Sequence, residues 1–199
     1  MQITGCVVAI FTNNLLMTHG GDLAVGAYGI AHRLGFVFFM VIMGICQGMQ
    51  PIAGYNYGAR NMDRVKRVVR LAITVSVASM TVGWVIGEVF TGACVRLFTD
   101  DPNLIDIAVR GIRINMLVFP VIGYQATVTN FFQTIGKVRI SIFMSLSRQL
   151  LFLLPMMLLF ASLWDLDGVW FSLPASDFAA FLVAVVIMQR FKLNHHVDS

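Results

Sequence analysis

The chain has 199 residues, of which 58% are hydrophobic and only 12% are charged. A soluble domain averages about 45–50% apolar and about 25% charged residues, so this composition excludes an ordinary soluble domain and favours a protein embedded in a membrane. The net charge of +4 does not indicate nucleic-acid binding, because the cations are confined to a few short connections and form no basic face interleaved with aromatic side chains.

Six apolar segments approach the length of about 20 residues that a helix needs to cross a bilayer core. They lack the strict alternation of barrel strands, so helices are the predicted spanning elements. The predicted fold class is all-α: a polytopic membrane bundle of six transmembrane helices. The predicted spans are Ile3 to Thr18, Val25 to Pro51, Val68 to Phe90, Ile112 to Ile135, Ile140 to Leu163 and Val169 to Gln189.

The connections between these segments alternate in charge. Lys and Arg cluster in the second and fourth connections and after the last segment, whereas the loop stretches 19–23, 99–106 and 164–168 contain aspartates and neither Lys nor Arg. Because an excess of Lys and Arg marks cytoplasmic loops, both termini are predicted to lie in the cytoplasm. Residues 1–192 then form one membrane unit, and residues 193–199 form a polar cytoplasmic tail.

The outer end of the bundle has two boundary signals. Phe90 to Leu97 stays apolar but contains Arg96, so we expect it to lie along the outer interface rather than to extend the third span. The stretch 100–102 (Asp-Asp-Pro) predicts an N-cap followed by a proline in the first helical turn. Arg110 and Arg113 then fall near the outer surface, where they are expected to snorkel or to pair with nearby aspartates.

The most informative stretch is Gln47 to Ala59, with the sequence QGMQPIAGYNYGA. Two glutamines and a proline occupy the last turns of a membrane-length segment, where polar side chains are costly unless they face protein or water. A stretch rich in Gly and Asn follows, and a cluster of cations comes after it. This run resembles the helix-to-loop junction in the second half of multidrug and toxic compound extrusion (MATE) transporters, which are cation-coupled drug exporters.

The resemblance continues along nearly the whole chain. The family pattern implies twelve helices in two six-helix lobes with the drug cavity between them, and this chain resembles the second lobe. Alternating access moves one repeat against another around a central site, so a companion is expected: a missing N-terminal lobe or a second copy of this chain. We interpret the chain as a fragment whose first helix lacks its leading residues. The other matching stretches are residues 20–30 with Arg33, 132–137, 145–149, Pro155, 168–170 and 174–177.

The resemblance implies export of amphipathic or cationic drugs across a bacterial inner membrane in exchange for H⁺ or Na⁺, without a further cofactor. No HExxH, GxSxG or phosphate-binding glycine loop is present, so an enzyme is not expected. The three cysteines are far apart, and neither a disulfide nor a metal site is predicted. Two alternatives stay open: a six-helix scaffold without transport activity, and a flippase for lipid-linked polysaccharides.

The polar residues within the first two segments each allow two interpretations. Asn13 and Asn14 either line the drug cavity or form hydrogen bonds between helices. Gln47 and Gln50 share one helix face. They form either a flexible polar helix end or, the favoured interpretation, a proline-assisted helix stop at which glutamines satisfy free carbonyls.

Further residues complete the predicted substrate site. The stretch 36–43 is rich in Phe and Met, side chains that re-pack around varied ligands. Two glutamines of the fourth segment lie eight residues apart and are expected to point into the bundle. The predicted substrate-binding residues are Asn13, Asn14, Phe36, Met40, Gln47, Gln50, Gln125 and Gln133.

Charged residues inside the segments are few. Arg148 and Asp177 each lie about ten residues into their own segment, near mid-membrane, where an unpaired charge costs at least about 2.5 kcal/mol. We predict a structural ion pair that locks the last two helices together; the rival interpretation makes Asp177 the N-cap of a helix restarted after Pro174. Glu88 is expected to be an interfacial acid, with a proton path as the alternative. Ion coupling is expected in the companion lobe or in the missing part of the first helix.

Overall fold

The computed structural model describes the backbone of residues 2–197 and the side chains of residues 4–191. Over this range the chain is all-helical, which confirms the predicted fold class. Its backbone stays helical to Val197, although the side chains of the predicted tail lie outside the described residues. The elements are α1 (Gln2–Gly58), α2 (Met62–Val89), α3 (Thr91–Arg96), α4 (Pro102–Met116), α5 (Phe119–Thr134), α6 (Val138–Leu146), a π-helical segment (Ser147–Leu153) and α7 (Leu154–Val197).

Sharp breaks divide the longest helices into pairs of rods. Three stretches, Thr4–Gly58, Met62–Val89 and Val138–Phe191, are long and apolar enough to cross a membrane. The first breaks at Gly21, where φ is 64° and ψ is −164°, a conformation that glycine adopts without a steric penalty. The third breaks at Asp165, where φ is 48°. We call residues 2–20 and 22–58 the two arms of α1, and residues 154–163 and 166–197 the two arms of α7.

Six rods result, as predicted. They are the two arms of α1, then α2, then α4 with α5, then α6 with the π-helical segment and the first arm of α7, and finally the second arm of α7. The chain turns back at both breaks: Gly5 and His32, on opposite arms of α1, line the same cavity. Gly168 likewise packs so closely on the carbonyl of Phe160 that an added Cβ would collide with it.

Two predicted boundaries are wrong. α1 continues past Pro51 to Gly58, because the proline removes only one backbone donor and a membrane helix tolerates that loss. The fourth predicted span, Ile112 to Ile135, is not one helix, since the backbone leaves helical geometry at Val118 (φ −110°, ψ 14°). Pro120 then occupies the first turn of α5, where a proline is well tolerated.

Two helix boundaries are confirmed at the end of the bundle predicted to face outward, which we call the outer end. Asp101 is the N-cap of α4, and one carboxylate oxygen accepts a hydrogen bond from the backbone N–H of Asn103 at 3.0 Å. α2 ends at Val89, and the following apolar stretch forms the separate short helix α3 instead of extending the span.

Small residues bring α2 and α5 into close contact. A Cβ added at Gly123 would lie 2.9 Å from the backbone oxygen of Ser76. The Thr127 hydroxyl lies 2.9 Å from the Ser76 hydroxyl, and both side chains are fully buried. Close approach through small residues, supported by a hydrogen bond, is a common way for membrane helices to associate.

Candidate functional site

A cavity of about 430 Å³ lies at the centre of the bundle. Its volume falls in the range of small-molecule sites, about 300–1,000 Å³. All six rods contribute to its wall, α2 through Met80 and the paired α4 and α5 through Asn115 and Phe119. The wall is mostly apolar, and its aromatic members are Tyr28, Phe36, Phe39 and Phe119.

The Arg148–Asp177 pair forms the charged part of this wall. Arg148 Nε donates to Asp177 Oδ1 at 2.6 Å, and the exposed fractions of the two side chains are 36% and 5%. The two residues predicted to pair are therefore in contact across the last two rods. The rival N-cap interpretation is wrong, because α7 runs without interruption through Pro174 and Asp177.

The π-helical segment positions Arg148. It covers Ser147–Leu153 and precedes Pro155, which has no N–H to donate to the carbonyl of Leu151. A π-helix contains an extra residue in its turn, so it rotates the side chains that follow relative to an α-helix. Arg148 and Gln149 of this segment both face the cavity.

The eight predicted substrate residues divide into three groups in the structure: one lines the cavity, six are exposed outside its lining, and Gln125 is buried outside it. Phe36 lines the cavity and is 49% exposed. The other exposed members lie on the surface of the lobe, outside the cavity lining, and their role in binding stays a prediction. The exposed members outside the lining are Asn13, Asn14, Met40, Gln47, Gln50 and Gln133.

Gln50 does not satisfy free carbonyls as the helix-stop interpretation required. Its Nε2 donates to Asn130 Oδ1 at 2.8 Å and so connects α1 to α5. Sequence reasoning missed Asn130, although it is a polar residue that lies between the two glutamines of the same segment.

The expectation that both glutamines of the fourth segment face the bundle is half wrong. Gln125 is buried, with 4% of its surface exposed, whereas Gln133 is exposed. Eight residues of an α-helix rotate about 80° beyond two full turns, so the two side chains do not share a direction.

Several polar cavity residues were not predicted. They line the same cavity as the ion pair, and the centre of the Tyr28 ring lies 6.1 Å from the ring centres of both His32 and Trp170. His32 had a usable signal, because an ionisable side chain inside a membrane-length segment is itself a candidate functional residue. The missed polar lining residues are Tyr28, His32, Asn115, Gln149 and Ser176.

Two further ion pairs lie at the end predicted to face outward. Arg110 Nη2 lies 2.6 Å from Asp167 Oδ2, and Arg113 Nε lies 4.0 Å from Glu88 Oε2. The arginines thus pair with acids of other helices rather than with the sequence-near aspartates. Glu88 has a cationic neighbour here, and its part in a proton path stays a prediction.

Known proteins resemble this chain over its full length. The MatE family model matches residues 4–159. The multidrug export protein MepA of Staphylococcus aureus (strain MSSA476) is 28% identical over 203 aligned positions, which cover 100% of this chain and 43% of MepA. The MepA of Staphylococcus haemolyticus (strain JCSC1435) is 30% identical over 94% of this chain and 40% of its own length.

Solved structures share the fold. The outward-facing conformation of a multidrug resistance MATE family transporter of the MOP superfamily superposes with a TM-score of 0.90 at 19% identity, over 100% of this chain and 45% of that one. The MATE multidrug transporter DinF-BH gives a TM-score of 0.84 at 34% identity, over 95% of this chain and 42% of that one. The chain therefore spans less than half the length of the relatives that it matches.

Proposed function

Because the chain belongs to the MatE family, whose members are transporters and not enzymes, we propose that it is the second lobe of a multidrug exporter. The exporter moves amphipathic or cationic drugs out of a bacterial cell in exchange for H⁺ or Na⁺. The lobe works with a companion, either an N-terminal lobe or a second copy. It lies in the inner membrane with both termini in the cytoplasm.

The central cavity is the observation that carries this proposal. Its aromatic wall offers apolar surface for the body of a drug and ring faces for a cationic group. Asp177 compensates the charge of Arg148, so the pair adds no net positive charge that would repel a cation. Pairing also lets two charged groups lie among apolar helices at a lower free-energy cost than either would have alone.

An exposed face of α1 is where we place the companion lobe. Phe36, Met40, Gln47 and Gln50 follow one another at spacings of four, seven and three residues, which puts them on one side of the helix. All four are exposed in this lobe, and Phe36 also lines the cavity. A companion packed on this face would leave the cavity open to the space between the lobes, as alternating access requires.

Efflux of a fluorescent cationic dye tests the proposal. Cells that express the protein with its companion lobe should extrude the dye several-fold faster than cells with an empty vector, and collapse of the ion gradient should abolish the difference. Gly5→Phe should abolish the difference too, because Gly5 lines the cavity, a Cβ there meets no atom within 4 Å, and the added ring takes up space that the drug needs.

Gly92→Phe is the matched control. Gly92 is equally open to an added Cβ but lies on α3, outside the cavity lining. It should keep efflux at the unsubstituted rate. If the unsubstituted protein is folded and inserted in the membrane but the cells retain as much dye as cells with an empty vector, the result would contradict transport and favour a scaffold.

A further inference from the structure

A second pocket, of about 360 Å³, lies where α5 ends, α6 begins and α7 approaches its end. Three cations contribute to it: Lys137 before α6, Arg139 in its first turn and Arg190 on α7. Its apolar wall includes Phe132, which is fully buried, and Phe143, which is 53% exposed. The pocket thus combines cationic side chains with an aromatic and apolar lining.

No carboxylate neutralises this pocket among the described residues. None of its lining residues is acidic, and the three cations take part in no ion pair within the part of the chain that the structure describes. Lys137 Nζ lies 4.6 Å from the centre of the Phe191 ring, so the ring holds the ammonium group at the pocket without cancelling its charge. Three cations around one concavity, with no acidic partner in the described part of the chain, favour an anionic ligand.

The start of α6 also favours an anionic ligand in this pocket. The helix begins at Val138, and no side chain caps its first turn. Its free N–H groups and the positive end of its dipole therefore add to the field of Lys137 and Arg139. This contribution supports the cations and is not needed to define the pocket.

We propose that this pocket binds the headgroup of an anionic phospholipid, with the phosphate between the three cations and an acyl chain along Phe143. The pocket combines three cations with an apolar wall, and it lies at the end of the bundle predicted to face the cytoplasm. Basic pockets between transmembrane helices on this side of a membrane are suited to such headgroups. The site is separate from the central cavity and does not depend on the proposed transport activity.

Native mass spectrometry of the purified protein in detergent tests the proposal by titration with phosphatidylglycerol and, separately, phosphatidylcholine. Phosphatidylglycerol should bind more tightly, and removal of each cation should weaken its binding about fivefold. R139Q/R190Q should therefore weaken it about 25-fold. Both arginines are exposed, and the contact between Lys137 and Phe191 stays intact, so this variant should remain folded. The triple variant with K137Q should bind the two lipids equally.

R64Q/R67Q/R70Q is the matched control. It removes three exposed cations from α2, at the same predicted end of the bundle and outside the pocket, and should leave phosphatidylglycerol binding within twofold. Equal loss in the control and in R139Q/R190Q would overturn the site and show diffuse attraction instead. Equal affinity of the unsubstituted protein for both lipids would overturn it too. Displacement of the lipid by millimolar inorganic phosphate would assign the pocket to free phosphate and overturn the lipid assignment.

Discussion

Two ion pairs of this lobe have the same length and different surroundings. Arg148–Asp177 beside the cavity and Arg110–Asp167 at the outer end, the end predicted to face outward, both have an N···O distance of 2.6 Å. The exposed fractions are 36% and 5% for the first pair but 69% and 38% for the second. Exposed pairs contribute about 0–1 kcal/mol, whereas removal of one partner of a buried pair costs about 3–5 kcal/mol. The contributions of the two pairs to stability should therefore differ because of their burial and not because of their N···O distances.

The outer end has a different source of stability. Next to Arg110, Gly111 packs so closely on Trp170 that an added Cβ would collide with the indole ring. Trp170 is buried, with 2% of its surface exposed, and belongs to the same central cluster as Ile112 and Met116. Packing of α4 on α7, rather than the exposed ion pair, should hold this end together.

Loss of the cavity pair should give the largest effect. Arg148→Met leaves the buried Asp177 carboxylate without its cation and should lower the free energy of unfolding by about 3–5 kcal/mol. Asp177→Asn should cost less, because Arg148 is partly exposed and its guanidinium can turn toward the cavity. SDS titration of the purified protein measures both. A smaller effect for Arg148→Met than for Asp177→Asn would contradict the burial argument.

Gly111→Ala should have the next largest effect, because the new methyl group forces the buried Trp170 ring to move. Overpacking of this kind costs about 1–3 kcal/mol, and the same unfolding titration measures it. Gly44→Ala is the control: it lies within α1 and a Cβ there meets no atom within 4 Å. It should be neutral or slightly stabilising, since alanine favours helix over glycine by up to about 1 kcal/mol. Equal losses for the two variants would remove packing as the explanation.

The hydrogen bond between Gln50 and Asn130 provides an intermediate case, neutral and exposed. Gln50→Leu should lower the free energy of unfolding by about 0.6 kcal/mol, and by at most about 1.7 kcal/mol, the range for hydrogen bonds between membrane helices. Asn130→Leu should give a similar loss, and the double variant should lose no more than either single variant. Fully additive losses would show that the contact contributes nothing of its own.

Arg110→Gln should give the smallest effect, about 0.2–1 kcal/mol, because both partners are exposed in this lobe. The effect should shrink as the salt concentration rises, since the Debye length falls from about 10 Å at 0.1 M to about 3 Å at 1 M. Unfolding titrations at the two salt concentrations measure this difference. A loss comparable to that of Arg148→Met at either concentration would place the outer pair in the same class as the cavity pair.

The features that sequence reasoning predicted well depend on composition and local pattern. Apolar segments of membrane length predicted the six rods, and Asp101 before Pro102 predicted the start of α4. The cost of an isolated charge in a membrane pointed to a partner for Arg148, because only one acid lay at a matching depth on the next segment. These inferences need no knowledge of how the helices pack.

Features that depend on packing could not be predicted. A proline lies inside an uninterrupted helix at Pro51 but in the first turn of a new helix at Pro120, because neighbouring groups decide whether the backbone finds partners. The bond between Gln50 and Asn130 arises from a contact between distant parts of the chain. The cavity itself needs all six rods in place, so most of its polar lining has no local signal.

Paired double-mutant cycles test most directly the claim that burial sets the value of these ion pairs. One cycle combines R148M with D177N, and the other combines R110Q with D167N, all measured by the same unfolding titration. The coupling energy should exceed about 1 kcal/mol in the cavity and stay below about 0.5 kcal/mol at the outer end. Additive losses in the cavity cycle, or equal coupling in the two cycles, would contradict the account.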